Sequence, residues 1–207
     1  DTSKLPKNID LLTHGSPCQD FSIAGDQEGG DKDSGTRSSL MWETVRIIED
    51  IKPKIIIWEN VKNVLNAKHM HNLEAYIESL NKLGYNSYYQ VLCAKDYRIP
   101  QNRERLFVVS VRKDIDHGKF KFPEPVKLDK VIKDFITDFD SPRKVNKTLL
   151  PYFADEWKRE YNSPSGCIKV FDGECQGIFN SDYTNKRIYS MYGVCPTITC
   201  SNSINIS

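Results

Sequence analysis

The 207 residues hold no apolar run near the roughly 18 that a membrane-spanning helix needs. The opening DTSKLPKNID has neither the basic start nor the apolar centre of a secretory signal. Both absences lead to the expectation of a soluble, intracellular chain with no membrane partner. Cysteine is sparse: the six, at 18, 93, 167, 175, 195 and 200, form no C-x-x-C pair and fall below the density of a disulfide scaffold, so reduced thiols are expected. Histidine is sparser. Positions 14, 69, 71 and 117 show no ligand spacing with each other or with the cysteines, and His69 and His71 would project to different sides of a helix, so no metal is expected. A charge excess of one sign is also missing: 29 Lys plus Arg against 28 Asp plus Glu give +1, so any case for a polyanionic partner must be local. There is no G-x-x-x-x-G-K-[ST] loop and no G-x-G-x-x-G opening a helix after a strand, which removes the two common phosphate cradles. No repeat or low-complexity tract occurs.

What is present is a change of period. The apolar segment IDLLTH is followed by the 3.6-period stretch SLMWETVRIIEDI, the β-rich KIIIWEN, the helical NLEAYIESLNKLG, and then YNSYYQVLCA and RLFVVSVR. This β-α-β-α-β-β order predicts an α/β fold with a mostly parallel sheet covered on both faces and ending in an antiparallel pair. In such sheets ligands gather beyond the carboxyl ends of the strands, where GSPCQ (after the first strand) and ENV (after the second) both fall. Residues 19–38 contain four glycines and many charges and read as a mobile loop, either a solvated one or one that closes over a site. After residue 112 the pattern loosens into a smaller, irregular α+β region.

Three groups could do chemistry. Cys18 follows a proline and precedes Gln-Asp, in a turn at a strand end where a thiol could be half exposed and activated; the alternative is an inert, buried thiol. Glu59 leaves the apolar run IIIW, where desolvation would favour a protonated carboxyl able to act as an acid; the alternative is a carboxylate satisfied by backbone amides, with Asn60 beside it in a structural role. In QNRERLFVVSV, Gln101, Arg103 and Arg105 alternate and would share one side of a strand, as readers of an anion or a base edge or as ordinary edge-strand cations. Between Lys95 and Lys121 eight basic residues face four acidic ones, a local excess of +4 and a weak polyanion signal. A cysteine hydrolase would need a histidine near Cys18, and His14 is the candidate in sequence.

In order, GSPCQDFS (15–22), RSSLMWETVRIIEDIKP (37–53), WENVKNVL (58–65), QNRERLFVV (101–109) and RIYSMYGVCPTIT (187–199) resemble motifs of the DNA cytosine-5 methyltransferases of bacteria and their phages. The resemblance implies a partial Rossmann-like methyltransferase sheet and three regions: residues 1–112 as the catalytic half, 113–186 for target recognition, and 187–207 returning toward the catalytic domain. It implies S-adenosylmethionine as methyl donor, no metal, double-stranded DNA as partner, base flipping, and a place in the cytoplasm of a bacterial or phage-infected cell. It makes Cys18 the nucleophile toward cytosine C6 and sets Glu59 against N3 and the exocyclic amine. Arg105 would hold O2, and Arg103 would brace the closed loop or a phosphate. Gln19, Ser22, Arg37 and Gln101 become DNA contacts, and Pro17 and Leu40 donor contacts. The family's glycine-rich F-x-G-x-G turn and the acidic residue for the donor ribose precede the nucleophile motif and are not among these residues. The sequence is therefore expected to be a fragment or one half of a split enzyme, with residues 9–14 as an apolar, unpaired edge. A catalytically inactive DNA-binding remnant and an RNA methyltransferase of the same fold are the alternatives.

Overall fold

This computed structural model describes residues 2–6, 8–18, 20, 21 and 28–135, and the backbone of short strands at 161–162, 168–172, 187–189, 195–196 and 205–206. The chain divides into two compact units, Asp1–Leu92 with Glu104–Glu124, and Cys93–Arg103 with Pro125–Ser207. Residues 113–124, which the sequence pattern groups with the recognition region, fall in the first unit.

In chain order the elements are β1 (Leu11–His14), α1 (Met41–Ile51), β2 (Ile55–Val61), α2 (Met70–Lys82), β3 (Tyr85–Cys93), β4 (Gln101–Asn102) and β5 (Glu104–Arg112). Each of the predicted segments is here. Met41, Val45 and Ile48 make the inward stripe of α1, and Leu73, Tyr76, Ile77 and Leu80 that of α2. Helix α1 stops where Lys52 takes the left-handed conformation (φ 47°) and returns its N–H to the Ile48 carbonyl, with Pro53 next.

The sheet order is β1-β2-β5-β3. Strands β1 and β2 are parallel, with Leu11 opposite Ile55 and His14 opposite Trp58, so their carboxyl ends lie on the same rim as expected. Strand β5 is antiparallel to β2, with Ile55 opposite Val111 and Val61 opposite Arg105. Gly84 O accepts from Lys113 N, and the Ser87 and Ser110 hydroxyls are 2.8 Å apart; pairing that rises on one strand as it falls on the other makes β3 and β5 antiparallel. Three of the four strands thus point one way, and the last two runs form the predicted antiparallel pair.

Because side chains alternate across a strand, Ile56, Trp58, Leu106 and Val108 share one face, and they are buried with Met41, Ile48, Leu73, Tyr76 and Leu80 in one core. The sequence predicts cover on both faces; among the described residues both helices lie on this one. The opposite face carries Ile57, Glu59 and Arg105, half-buried, and the buried Val109 and Val111. Strand β1 is an edge of the sheet and Leu11 is 51% exposed, as expected for residues 9–14.

In the second unit β4 runs parallel to β9 (Cys195–Pro196), which puts Gln101 opposite Cys195. A separate sheet has the order β10 (Asn205–Ile206), β8 (Arg187–Tyr189), β7 (Ile168–Asp172), β6 (Tyr161–Asn162).

Candidate active site

The loop leaving β1 crosses the rim of β2 and is held there residue by residue. A Cβ on Gly15 would sit 3.6 Å from Glu59 Oε2, so the loop passes directly beside that carboxylate. The next residue, Ser16, accepts hydrogen bonds at its hydroxyl oxygen from Trp58 Nε1 (3.1 Å) and Asn60 Nδ2 (3.0 Å). The Pro17 carbonyl accepts from the Ser38 hydroxyl (2.7 Å), and the Asp20 carboxylate accepts from Ser38 N (2.8 Å). Phe21 is wholly buried, and its carbonyl accepts from Asn63 Nδ2 (2.6 Å). Cys18 lies inside this lattice as a free, half-buried thiol, whereas Cys93 is buried. Of the two readings that the sequence leaves open for Cys18, half exposure in an anchored turn is the one that permits chemistry.

Glu59 stands differently from its prediction. Its side chain is 40% exposed and pairs with Arg105, whose Nε lies 3.0 Å from Glu59 Oε1, so it is not a desolvated carboxyl against an apolar wall. The cause is register: Val61 faces Arg105 across the ladder, so Glu59 and Arg105 are diagonal neighbours on one face. Arg105 is 18% exposed on its side chain and also donates to the Glu104 carbonyl (2.7 Å). A carboxylate and a guanidinium fixed side by side offer an acceptor next to a donor fork, which is what the edge of a polar heterocycle requires. Asn60, buried, takes the structural role already open to it: Nδ2 holds Ser16, and Oδ1 accepts from Val61 N (2.8 Å).

The alternation expected from Gln101 through Arg105 is broken. Arg103 N donates to Gln101 O (3.0 Å), which turns the chain out of the ladder between β4 and β5. Gln101 and Arg103 consequently belong to the second unit, where Arg103 O accepts from Ala94 N (3.0 Å), and Arg105 to the first. Gln19 and Ser22 lie outside the described residues. Arg37 and Leu40 are the ends of a 3₁₀ turn leading into α1, and Leu40 is 51% exposed. Ser38 in that turn bonds the Pro17 carbonyl, which ties the turn that carries Leu40 to the loop that carries Pro17, the two residues expected to touch a methyl donor.

The loop expected to be mobile from 19 to 38 is anchored over its described return leg. Gly29 N donates to Asp20 O (2.9 Å), Trp42 Nε1 donates to Gly30 O (2.8 Å), and His71 pairs with Asp31 (2.7 Å). His14 is not a partner for the thiol. Its Nε2 shares a hydrogen bond with the Tyr76 hydroxyl (2.8 Å) on the helix side of the sheet, and burial lowers its pKa to about 4. That removes the candidate base of a cysteine hydrolase. No cluster that could hold a metal occurs among the described residues, and no helix of the described residues is long and apolar enough to cross a membrane.

Sequence reading missed Ser16, Trp58, Asp20 and Ser38 as parts of the site. Ser16 stands inside the quoted motif, two residues before the thiol. Asp20 and Ser38 meet across 18 positions, and no local pattern announces such a bond.

The family model for the C-5 cytosine-specific DNA methylases matches residues 1–203. The chain is 39% identical over 190 residues to the Type II methyltransferase M.HhaI of Haemophilus parahaemolyticus, covering 92% of this chain and 55% of that protein. It is 44% identical over 203 residues to M.Bsp6I of Bacillus sp. (strain RFL6), covering 94% and 58%. To M2.ScrFI of Lactococcus lactis subsp. cremoris it is 44% identical over 138 residues, 67% of this chain and 38% of the relative. The chain thus spans about half the length of the curated relatives it matches. Among solved structures, a putative DNA modification methyltransferase encoded within an E. coli prophage shares the fold with a TM-score of 0.56 at 19% identity, covering 94% of this chain and 64% of that one. With the motifs, the sheet and these matches in agreement, the chain belongs to the family of C-5 cytosine-specific DNA methylases.

Proposed function

We propose that these residues form the catalytic core of an enzyme that methylates C5 of a cytosine in duplex DNA, with S-adenosylmethionine as donor. The observation that supports this most is the Glu59–Arg105 pair beside the anchored Cys18 loop: an acceptor, a donor fork and a thiol around one rim.

Cytosine C5 carries no useful negative charge while the ring is aromatic, so a nucleophile must first add at C6. The Cys18 thiolate forms the S–C6 bond, and the ring electrons move toward N3, where Glu59 supplies the hydrogen bond or proton; the exocyclic amine donates to the same carboxyl. Arg105 donates to O2. The result is an enamine whose C5 is nucleophilic. S-adenosylmethionine, when bound, supplies the electrophilic methyl group, and Pro17 and Leu40 are proposed as its contacts on this chain. Loss of the C5 proton to a base then re-forms the C5–C6 double bond and expels the Cys18 thiolate as the S–C6 bond breaks, and a proton taken up at N3 returns to Glu59.

C6 must be approached from its face, which a stacked duplex hides, so the cytosine is swung out of the helix. Gln19, Ser22, Arg37, Gln101 and Arg103 are proposed as contacts to DNA and the closed loop, and residues 113–186 as the reader of the neighbouring bases. The glycine-rich turn and ribose acid of the donor site are proposed to be supplied from outside these 207 residues, by adjoining sequence or a second subunit. The test uses the full-length protein carrying these residues, duplex DNA and labelled donor, with 5-methylcytosine counted after digestion. Wild type should methylate DNA and not RNA, and Cys18→Ala should give no product. Product from Cys18→Ala, or preference for RNA, would overturn the reading.

A further inference from the structure

We infer that the Ser16 hydroxyl is a positioning group for the Cys18 nucleophile: one oxygen atom that ties the thiol's loop to both sequence neighbours of Glu59. The inference rests on the proposed roles of Cys18 and Glu59. Its own support is geometric. Trp58 and Asn60 flank Glu59 on β2, and alternation sends their side chains to the face opposite its carboxylate. Both are almost wholly buried, at 1% and 2% exposure. Trp58 Nε1 and Asn60 Nδ2 nevertheless converge on Ser16 Oγ, at 3.1 and 3.0 Å, and among the described residues the indole N–H has no other acceptor. Asn60 Nδ2 also reaches the Ser16 carbonyl at 3.4 Å.

Two buried donors on one acceptor make that oxygen expensive to remove, because the Trp58 N–H would be left unpaired and Asn60 Nδ2 would keep only its longer contact to the Ser16 carbonyl. They also fix its place from two directions. Gly15 on one side of Ser16 lies against Glu59, and Pro17 on the other is held through its carbonyl by Ser38. Ser16 is the point at which the loop is referenced to β2, so the separation between sulfur and carboxyl is set through it. Catalysis depends steeply on such separations: a displacement of about 1 Å can cost on the order of 10²-fold in rate. Ser16 touches no reacting atom in this scheme, and its effect is carried by Cys18.

The experiment follows single-turnover adduct formation between the full-length protein, with donor, and duplex DNA bearing 5-fluorocytosine, alongside DNA affinity and thermal midpoint. For Ser16→Ala the expected result is a folded protein with DNA affinity within about threefold of wild type and adduct formation slowed on the order of 10- to 100-fold. Ser16→Thr, which keeps the oxygen, should restore the rate. Adduct formation by Ser16→Ala within threefold of wild type would overturn the inference. So would parallel loss of DNA affinity, or no rescue by threonine. If Ser16→Ala does not fold, Trp58→Phe decides: slowed adduct formation at unchanged DNA affinity supports the inference, and an unchanged rate refutes it. Cys18→Ala is the control. If it still forms adduct, the catalytic reading itself has failed; if it does not, while Ser16→Ala is normal, only the positioning role has.

Discussion

Replacing Glu59 by glutamine separates what the carboxylate does for the fold from what it does for the reaction. The pair with Arg105 is half exposed, with side-chain exposures of 40% and 18%, so solvent screens it, and such pairs contribute about 0.2–1 kcal/mol. Glutamine also keeps an oxygen that can accept from Arg105 Nε. Stability should therefore fall by less than about 1 kcal/mol, about 2–4 °C in thermal midpoint for a chain of this size. Catalysis should fall much further. A side chain that supplies a proton or charged hydrogen bond in the transition state accounts for about 10²–10⁴ in rate, or about 3–5 kcal/mol of barrier. The assay is kcat for methyl transfer to a duplex with one target site, with the KM for DNA and the melting curve from the same preparation. The expected result is a kcat loss of about 10²–10⁴ with KM and midpoint nearly unchanged. A kcat loss below tenfold would refute the role, and a melting shift far beyond the ion-pair estimate would mean that Glu59 is structural.

Two further predictions concern the frame around the site. His14 is half-buried, and burial lowers its pKa to about 4 against 6.5 for a free side chain, so the unfolded chain binds the extra proton first and stability declines as pH falls from about 6.5 toward 4. At pH 5 this group alone should cost about 2 kcal/mol relative to pH 7, read from urea midpoints, and a neutral His14→Gln variant should lose that slope. Gly30→Ala would place a methyl 2.6 Å from Cζ of the wholly buried Phe21, so that variant should lose about 1–3 kcal/mol in thermal denaturation, and an unchanged midpoint would contradict the packing account.

Much of the first unit was legible because its signals are local. A period of 3.6 in SLMWETVRIIEDI and NLEAYIESLNKLG, and β-rich runs between them, locate α1, α2, β2, β3 and β5 to within a few residues. The parallel β1–β2 pair then places Cys18 and Glu59 on one rim. What failed was whatever depends on a partner distant in sequence. Glu59 is read as desolvated because IIIW precedes it, but its environment is set by Arg105, 46 positions away on β5. The alternation of Gln101, Arg103 and Arg105 presumes one strand, and a single backbone hydrogen bond at Arg103 breaks it. The alternative of His14, the last residue of β1, as a base for the thiol is closed by α2, which brings Tyr76 against it. Helices α1 and α2 share one core on one face, and the buried Val109 and Val111 lie on the other.

The central claim is a transient bond between the sulfur of residue 18 and C6 of a cytosine held by Glu59 and Arg105. Its most direct test is to incubate the full-length protein and S-adenosylmethionine with a duplex carrying 5-fluorocytosine at the target, digest the product, and sequence the nucleotide-bearing peptide by mass spectrometry. The account predicts one adduct, on Cys18, at one equivalent per protein. An adduct on any other residue, or methylated product with no adduct at all, would contradict it.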